Sequence, residues 1–143
     1  MPPGCIGDRQ ITPSSPIKVE KLQHRYTIVT SQPQGAPATT ERRAVYRARA
    51  PGVVSSFFAG VTVVNVGTAT LTYDLLRNGT SMLTAPLVLG STVVAYNSVS
   101  GSLVASPVFA AGDVFEVVQT ASAGTGGTIG QGPFSSFSAV EGV

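Results

Sequence analysis

The chain has few of the residues from which catalytic and metal-binding sites are usually built. Its 143 residues include one cysteine, one histidine and no tryptophan. The single cysteine excludes an intrachain disulfide, and one histidine without a cluster of cysteines or carboxylates does not provide zinc ligands at the usual spacing. A serine nucleophile would need His24 as its base, and the sequence contains no GxSxG motif. We therefore expect a protein that is not an enzyme and that has no cofactor or metal.

Charged residues are also scarce, at 11% of the chain, and their signs are unevenly distributed. Eight of the nine basic residues lie in the first 49 positions, where three acidic residues leave a net charge of +5. After position 50, one basic residue stands against four acidic ones, which gives −3. This distribution indicates two parts with different neighbours, although a solvated tail that only carries charge would produce it too.

Long apolar runs are absent as well. No run of about 18 apolar residues occurs, so a transmembrane helix is not expected. Cys5 is not expected to carry a lipid anchor either, because the four residues before it are too few for the apolar region of a signal peptide. Apolar residues nevertheless make up 43% of the chain and the net charge is only +2, which excludes the composition typical of disorder. Many Val, Thr, Ser and Gly residues and few long helix formers predict an all-β fold.

The clearest local signal is a strand followed by a tight turn. Leu71, Tyr73 and Leu75 alternate with polar residues, which is the period of a strand with one buried face. Asn78-Gly79 then provides the two residues that a type I′ hairpin turn needs at positive φ. The sequence therefore predicts a β-hairpin in this region.

A second strong strand begins at residue 114. Phe115 and Val117 share one face and Glu116 lies on the other. Asp113 immediately precedes this strand, where aspartate commonly accepts hydrogen bonds from turn amides. Asp74 and Asp113 could be imagined as the two carboxylates of a glycosidase, but the turn role is the more common one for Asp113, and Asp74 lies on the polar face of its strand.

Shorter strand signals recur along the rest of the chain, separated by turn residues. In the run 43–49, Tyr46 is predicted to point inward, with Arg43, Arg47 and Arg49 together on the opposite face. About eight short strands with turns every 8–12 residues predict a jelly-roll-like antiparallel β-sandwich. The predicted strands are 43–49, one or two within 53–66, 69–76, 81–83, 86–89, 92–96, 103–108, 114–119 and 134–140, with a glycine-rich loop over 121–132.

The first 40 residues differ from the rest, because six of the ten prolines lie there. Proline at this density disfavours helices and central strands. We therefore predict an extended, basic N-terminal arm over 1–40, with one short strand at 26–30 and a linker at 31–40, followed by the sandwich domain over 41–143. Such an arm would become ordered when it docks on a protein partner.

The basic residues allow three kinds of partner, of which a protein fits best. Nucleic-acid binding would require clustered cations with stacking aromatic residues, and membrane binding would require an amphipathic basic helix, which the prolines disfavour. We expect neither a nucleic acid nor a membrane as partner. The candidate partner-contact residues are Lys18, Lys21, Arg25, Tyr26, Arg42, Arg43, Arg47 and Arg49.

Three motifs give the chain a family resemblance. AVYRARAPG at 44–52, NGTSML at 78–83 and AAGDVFEV at 110–117 resemble the jelly-roll domains of tailed-phage capsid decoration (cement) proteins. The resemblance covers residues 43–118. It implies a homotrimer on the outer surface of the virion, made in the host cytoplasm, whose extended arms grip neighbouring subunits of the major capsid protein. Related domains occur in head and tail fibres, so the alternative is a fibre or receptor-binding module that recognises a host glycan or protein.

Overall fold

The computed structural model describes residues 23–142, and this part of the chain contains β-strands and their connections but no helix. Accordingly, residues 23–142 include no helix that could cross a membrane. The ten strands are β1 (His24–Ser31), β2 (Glu41–Arg47), β3 (Gly52–Val63), β4 (Thr70–Arg77), β5 (Thr80–Ser81), β6 (Leu87–Leu89), β7 (Ser98–Ser100), β8 (Val108–Phe109), β9 (Val114–Ser122) and β10 (Gln131–Glu141).

The strands form two antiparallel sheets. One sheet has the order β1-β10-β3, with β7 and β8 both pairing with β3, and the other has the order β2-β9-β4, with β5 and β6 both pairing with β4. If β5 and β6 count as one position and β7 and β8 as another, the ten strands fill eight positions. Their order is 1-8-3-6 in one sheet and 2-7-4-5 in the other, which is the double Greek key of a jelly roll. The predicted jelly-roll-like sandwich is confirmed.

The core lies between the two sheets and follows the predicted alternation. Leu71, Tyr73 and Leu75 of β4 are at most 1% exposed, and so are Phe57 of β3 and Phe115 of β9. Residues one position away along β4 and β9 are partly exposed, because successive side chains of a strand point to opposite faces. The hairpin and strand predictions for this region are therefore confirmed.

β1 belongs to the sandwich, whereas the proline-rich sequence around it predicts that it lies in the N-terminal arm. It pairs with β10 along its whole length, from His24 opposite Glu141 to Ser31 opposite Phe134. Ile28 packs against the core from this position. β1 thus occupies the first of the eight jelly-roll positions, and the sandwich begins no later than His24.

The connection from β1 to β2 is also part of the sandwich rather than a linker. The N–H group of Gln32 donates to the carbonyl of Pro133 at 3.0 Å, and that of Ala38 donates to the carbonyl of Gly130 at 2.9 Å. Ala38 is only 4% exposed. These bonds attach residues 32–40 to the start of β10, so the expected linker at 31–40 is corrected. The remainder of the predicted arm, residues 1–22, lies outside the described residues.

A β-bulge in β2 corrects the predicted arrangement of the arginines. Arg43 is opposite Val117 and Arg47 is opposite Val114, with the shift in register between Ala44 and Tyr46. The bulge adds one residue to β2, which reverses the side that later residues face. Arg43 and Arg47 therefore point to opposite faces of the sheet, whereas an unbroken strand would have placed them on the same face.

The segment between β6 and β8 contains less strand than predicted. Residues 92–96 form turns, and Tyr96 has a φ of 64°, which no β-strand residue adopts. The pairing next to β3 is supplied instead by β7, which was not predicted. In the predicted strand 103–108, Leu103 forms an isolated bridge with Leu83, and β8 starts at Val108.

Candidate partner-binding surface

The three motifs that carry the family resemblance meet at one end of the sandwich. The side-chain amide of Asn78 donates to Asp113 Oδ1 at 2.8 Å, and Asn78 Oδ1 accepts from the N–H of Val114 at 2.9 Å. The N–H of Ala48 donates to the carbonyl of Asp113, and the N–H of Gly112 donates to the carbonyl of Ala48, both at 2.8 Å. Residues from all three motifs are thus joined by hydrogen bonds.

The Asn78-Gly79 turn adopts the predicted geometry. Asn78 has a φ of 49° and Gly79 a φ of 83°, and the turn connects Arg77 to its partner Thr80. Positive φ at both central residues defines the type I′ turn and explains why Asn and Gly occupy these positions. The turn also aims the Asn78 side chain at Asp113, so it sets the position of the neighbouring loop.

Asp113 has the turn-stabilising role predicted for it. Its Oδ2 accepts from the N–H of Ala110 at 2.8 Å, and its Oδ1 accepts from Asn78. The bond from the Ala110 amide, followed by the one from Asn78, lowers the pKa of Asp113 below its ordinary value of 3.8. A lowered folded-state pKa means that the ionised form contributes to stability above the unfolded pKa, and that this contribution is lost as the pH falls through the folded pKa.

We expect the destabilisation caused by Asp113→Ala to depend on pH. The variant should be less stable than the wild type at about pH 6. The difference should shrink as the pH is lowered toward about 2, because the contribution of the ionised carboxylate is lost as the pH falls through its lowered folded-state pKa. Urea unfolding at the two pH values measures this, with Asp74→Ala as the comparison, because Asp74 accepts from the Ser81 hydroxyl and from no turn amide within residues 23–142. An equal difference between wild type and Asp113→Ala at both pH values would contradict the role of the charged carboxylate.

A buried carboxylate fixes the segment after β2 at the same end. Glu141 is 1% exposed, and its Oε1 accepts from the Tyr46 hydroxyl at 2.5 Å and from the N–H of Arg49 at 3.1 Å. Burial, together with the bond to Glu141, raises the pKa of Tyr46. The Tyr26 ring lies 5.6 Å from the Tyr46 ring, centroid to centroid, so the two sheets also meet here through aromatic side chains.

Three of the predicted partner-contact arginines are exposed at this end of the sandwich, and we call them the basic end. Arg25 follows His24, the residue opposite Glu141, while Arg49 donates its backbone N–H to Glu141. Arg47 Nη2 is 3.7 Å from the position that a Cβ atom on Gly112 would occupy. Within residues 23–142, none of these three guanidinium groups forms an ion pair. The basic end consists of Arg25, Arg47 and Arg49.

The acidic residues at this end are engaged in internal contacts. Glu141 accepts from Tyr46 and Arg49, and Asp113 accepts from Asn78 and Ala110. Asp113 Oδ2 also lies 3.9 Å from Arg77 Nε, and among the described residues neither carboxylate forms an ion pair with Arg25, Arg47 or Arg49. The arrangement gives this end of the sandwich an excess of positive charge that faces solvent.

Arg42 and Arg43, also predicted as contact residues, pair within the chain instead. Arg42 Nε and Nη2 donate to Glu116 Oε2 and Oε1 at 2.7 and 2.9 Å, and Arg43 donates to Glu41. The bond from Arg42 lowers the pKa of Glu116. These two arginines lie nearer the start of β2 and are less available to a partner than the basic end.

Tyr26 is half-buried at the basic end, and Lys18 and Lys21 lie outside the described residues.

A groove of about 390 Å³ lies beside the β1–β2 connection. Its polar groups bind each other: Gln32 Nε2 donates to Thr39 Oγ1 and Glu41 Oε2, and Glu41 accepts from Arg43. The bond from Gln32 is the main cause of the lowered pKa of Glu41. Side chains already paired in this way offer few free groups to a ligand. Across residues 23–142, no group of three or more potential metal ligands is found.

The opposite end of the sandwich carries exposed apolar side chains, which the sequence reading did not identify. Tyr96 is 71% exposed and Val94 is 62% exposed. The N–H of Tyr96 donates to the carbonyl of Val61, which places this loop beside the last residues of β3. Val66, in the segment after β3, is 61% exposed. We call Val66, Val94 and Tyr96 the apolar end. The sequence predicts a strand at 92–96, so it gives no signal that Tyr96 is exposed.

Comparison with known proteins identifies no family. No protein-family model matches the chain, and no curated protein sequence matches it. A structure of infectious bursal disease virus, Gt strain, aligns with 85% of this chain at a TM-score of 0.33 and 14% identity, and one of the Gx strain aligns with 85% at 0.28 and 14%. This chain spans 36% and 37% of those two chains. The similarity to these virus structures is weak.

Proposed function

We propose that the protein is a virion structural component that decorates the outer capsid surface and bridges adjacent subunits of the major capsid protein. The observation that carries this proposal is the basic end, where Arg25, Arg47 and Arg49 are exposed beside the three hydrogen-bonded motifs. The jelly-roll order of the strands supports it, since this fold is frequent in viral capsid proteins. Fold alone does not determine function, so the test must address attachment directly.

The proposed mechanism is mechanical. A guanidinium group makes paired hydrogen bonds to a carboxylate, so the basic end suits an acidic or carbonyl-rich capsid surface. Contacts with two adjacent capsid subunits would add interactions that must break before the shell expands. The sandwich itself is well suited to bear such load, because β10 pairs with both β1 and β3 along most of its length.

Assembly of three copies about a threefold axis is part of the proposal, because the resemblance to decoration proteins implies it and a threefold ring has closed symmetry. The decisive experiment adds the purified protein to capsids that lack it and images the particles with and without the protein. Ordered density on the outer surface at capsid-subunit junctions supports the proposal. Particles that remain bare at saturating protein concentration would contradict it.

The arginine variants provide a quantitative prediction. Changing Arg25, Arg47 and Arg49 together to alanine should weaken capsid attachment and reduce its salt dependence, while the unfolding temperature changes little. Loss of a buried, charge-paired contact costs roughly 2–5 kcal/mol in binding, and an exposed contact at the rim costs far less. Sedimentation of capsids with bound protein, at low and high salt, measures the effect.

Arg42→Ala is the matched control for this triple variant. Arg42 is an exposed arginine of β2, but its guanidinium is paired with Glu116 inside the chain. We expect Arg42→Ala to attach to capsids almost as well as the wild type. If the triple variant and the control bind equally, the three arginines only solvate the surface.

The second candidate function is a receptor-binding module of a head or tail fibre, and the apolar end favours it. Tyr96 combines 71% exposure with a positive φ, a backbone conformation that is uncommon for a large side chain. An exposed aromatic ring suits stacking on a sugar or on a protein surface. Binding to host cells that is lost in Tyr96→Ala, while capsid attachment is absent, would favour this function over decoration.

A further inference from the structure

β1 is a long strand edge that no other strand among residues 23–142 covers. It has eight residues and pairs on one side with β10. The other edge strands are shorter or interrupted: β5 to β8 have two or three residues each, and β2 contains the bulge and three arginines. Bulges, charges and shortness are the usual means by which proteins prevent edge pairing. β1 has neither a bulge nor a proline, and its one acidic or basic side chain besides His24 is Arg25.

The hydrogen-bonding groups at this edge can be identified from the register. The N–H of Gln32 donates to Pro133, so Gln32 faces β10. Residues in an antiparallel strand alternate between facing one neighbour and facing the other. The residues whose N–H and C=O groups face away from β10 are therefore Arg25, Thr27, Val29 and Ser31.

The side chains along the edge favour strand pairing. Thr27, Ile28, Val29 and Thr30 are four consecutive β-branched residues, the type most frequent in strands. Val29 is 64% exposed on the outer face of the sheet. An uncovered edge with such side chains is a template for another strand.

We propose that a second copy of this chain binds here, with β1 pairing antiparallel to β1 of the other copy about a twofold axis at Ile28. In this register Thr27 is opposite Val29 of the second copy and Arg25 is opposite Ser31. All four residues with outward-facing backbone groups are then paired, and the two Arg25 side chains lie at opposite ends of the contact. A register centred on Thr27 would pair only Arg25, Thr27 and Val29 within the two β1 strands, because Ser31 would lie opposite Gln23, before the start of β1.

This contact does not depend on the capsid role. A twofold contact is isologous, so the same edge serves both copies. If three copies also meet about a threefold axis, and the twofold axes cross it at right angles, the β1 contacts join two trimers in a closed hexamer. In either case, disrupting the β1 edge should halve the molecular mass of the purified protein in solution.

The first test compares the mass of the full-length chain with that of Val29→Pro. Proline removes an N–H that faces the second copy and leaves the bonds to β10 in place, since edge strands tolerate proline at such positions. We expect a twofold lower mass by light scattering. Val29→Ala retains the N–H and should retain the wild-type mass. Val29→Lys also retains every backbone group, and its added charge should favour the smaller species. It provides the same test if the proline variant does not fold.

The second test determines the register by disulfide formation in a Cys5→Ser background. A mixture of Thr27→Cys and Val29→Cys chains should form a crosslinked heterodimer under mild oxidation, because these residues are directly opposite. Each variant alone should crosslink at least several-fold less, and Thr72→Cys on the other sheet should not crosslink. A wild-type mass equal to that of Val29→Lys, or crosslinking no greater in the mixture than in the separate variants, would overturn the proposal.

Discussion

Replacing Phe115 with alanine is expected to lower the free energy of unfolding by about 3–5 kcal/mol, the usual cost of removing a large aromatic side chain from a well-packed core. Phe115 is 0% exposed. Its ring centroid lies 5.1 Å from that of Phe109 in an edge-to-face arrangement and 5.3 Å from that of Phe137. Because Phe115 belongs to one sheet and Phe137 to the other, the change removes a contact that holds the sheets together. Urea unfolding followed by circular dichroism measures the loss.

Val118→Ala provides the control on the same strand. Val118 is partly exposed and lies on the outer face of β9, opposite Arg42 and Asp74. We expect a change of about 1 kcal/mol or less, because surface substitutions away from core contacts have small effects. Comparable losses for Phe115→Ala and Val118→Ala would show that the aromatic cluster does not dominate the stability of the sandwich.

The second large effect is expected from Asn65→Ala. Asn65 is 2% exposed, its Nδ2 donates to the carbonyl of Leu89 at 2.7 Å, and its Oδ1 accepts from the N–H of Gly130 at 2.7 Å. The variant leaves a carbonyl and an amide unpaired in a buried site, at roughly 1–3 kcal/mol each. We therefore expect a loss of about 2–5 kcal/mol in the free energy of unfolding.

Asn97→Ala is the matched control for this substitution. Asn97 is exposed, and its side chain forms no hydrogen bond with another described residue. Its replacement should change the free energy of unfolding by about 0.5 kcal/mol or less. Hydrogen exchange adds a local readout: the amide of Gly130 should lose protection in Asn65→Ala and keep it in Asn97→Ala. Unchanged protection at Gly130 in Asn65→Ala would contradict the bridging role.

Much of the fold could be predicted because local patterns determine it. The alternation in β4 and β9 and the Asn78-Gly79 turn depend on neighbouring residues only, and they appear as predicted. The position of β1 could not be read in this way. Prolines on both sides suggested an extended arm, while its pairing partner β10 lies more than a hundred residues later in the chain.

The candidate site was also less predictable, because it depends on contacts between residues that are far apart in the sequence. The bulge in β2 depends on the register with β9, and without that register Arg43 and Arg47 seemed to share a face. Whether an arginine is paired depends on distant carboxylates, as with Arg42 and Glu116. Tyr96 was assigned to a strand because its neighbours are β-branched or apolar, but its positive φ is set by the loop between β6 and β7.

The pairing of His24 with Glu141 has a practical consequence for engineering. It brings residues 23 and 142 to the same end of the sandwich as the basic end, so an affinity tag joined directly after residue 142 would crowd the proposed attachment surface. The loop between β9 and β10 lies at the other end, and a side chain at Gly126 would meet nothing within 4 Å. A foreign peptide is better inserted beside Gly126, where it would lie away from the proposed attachment surface.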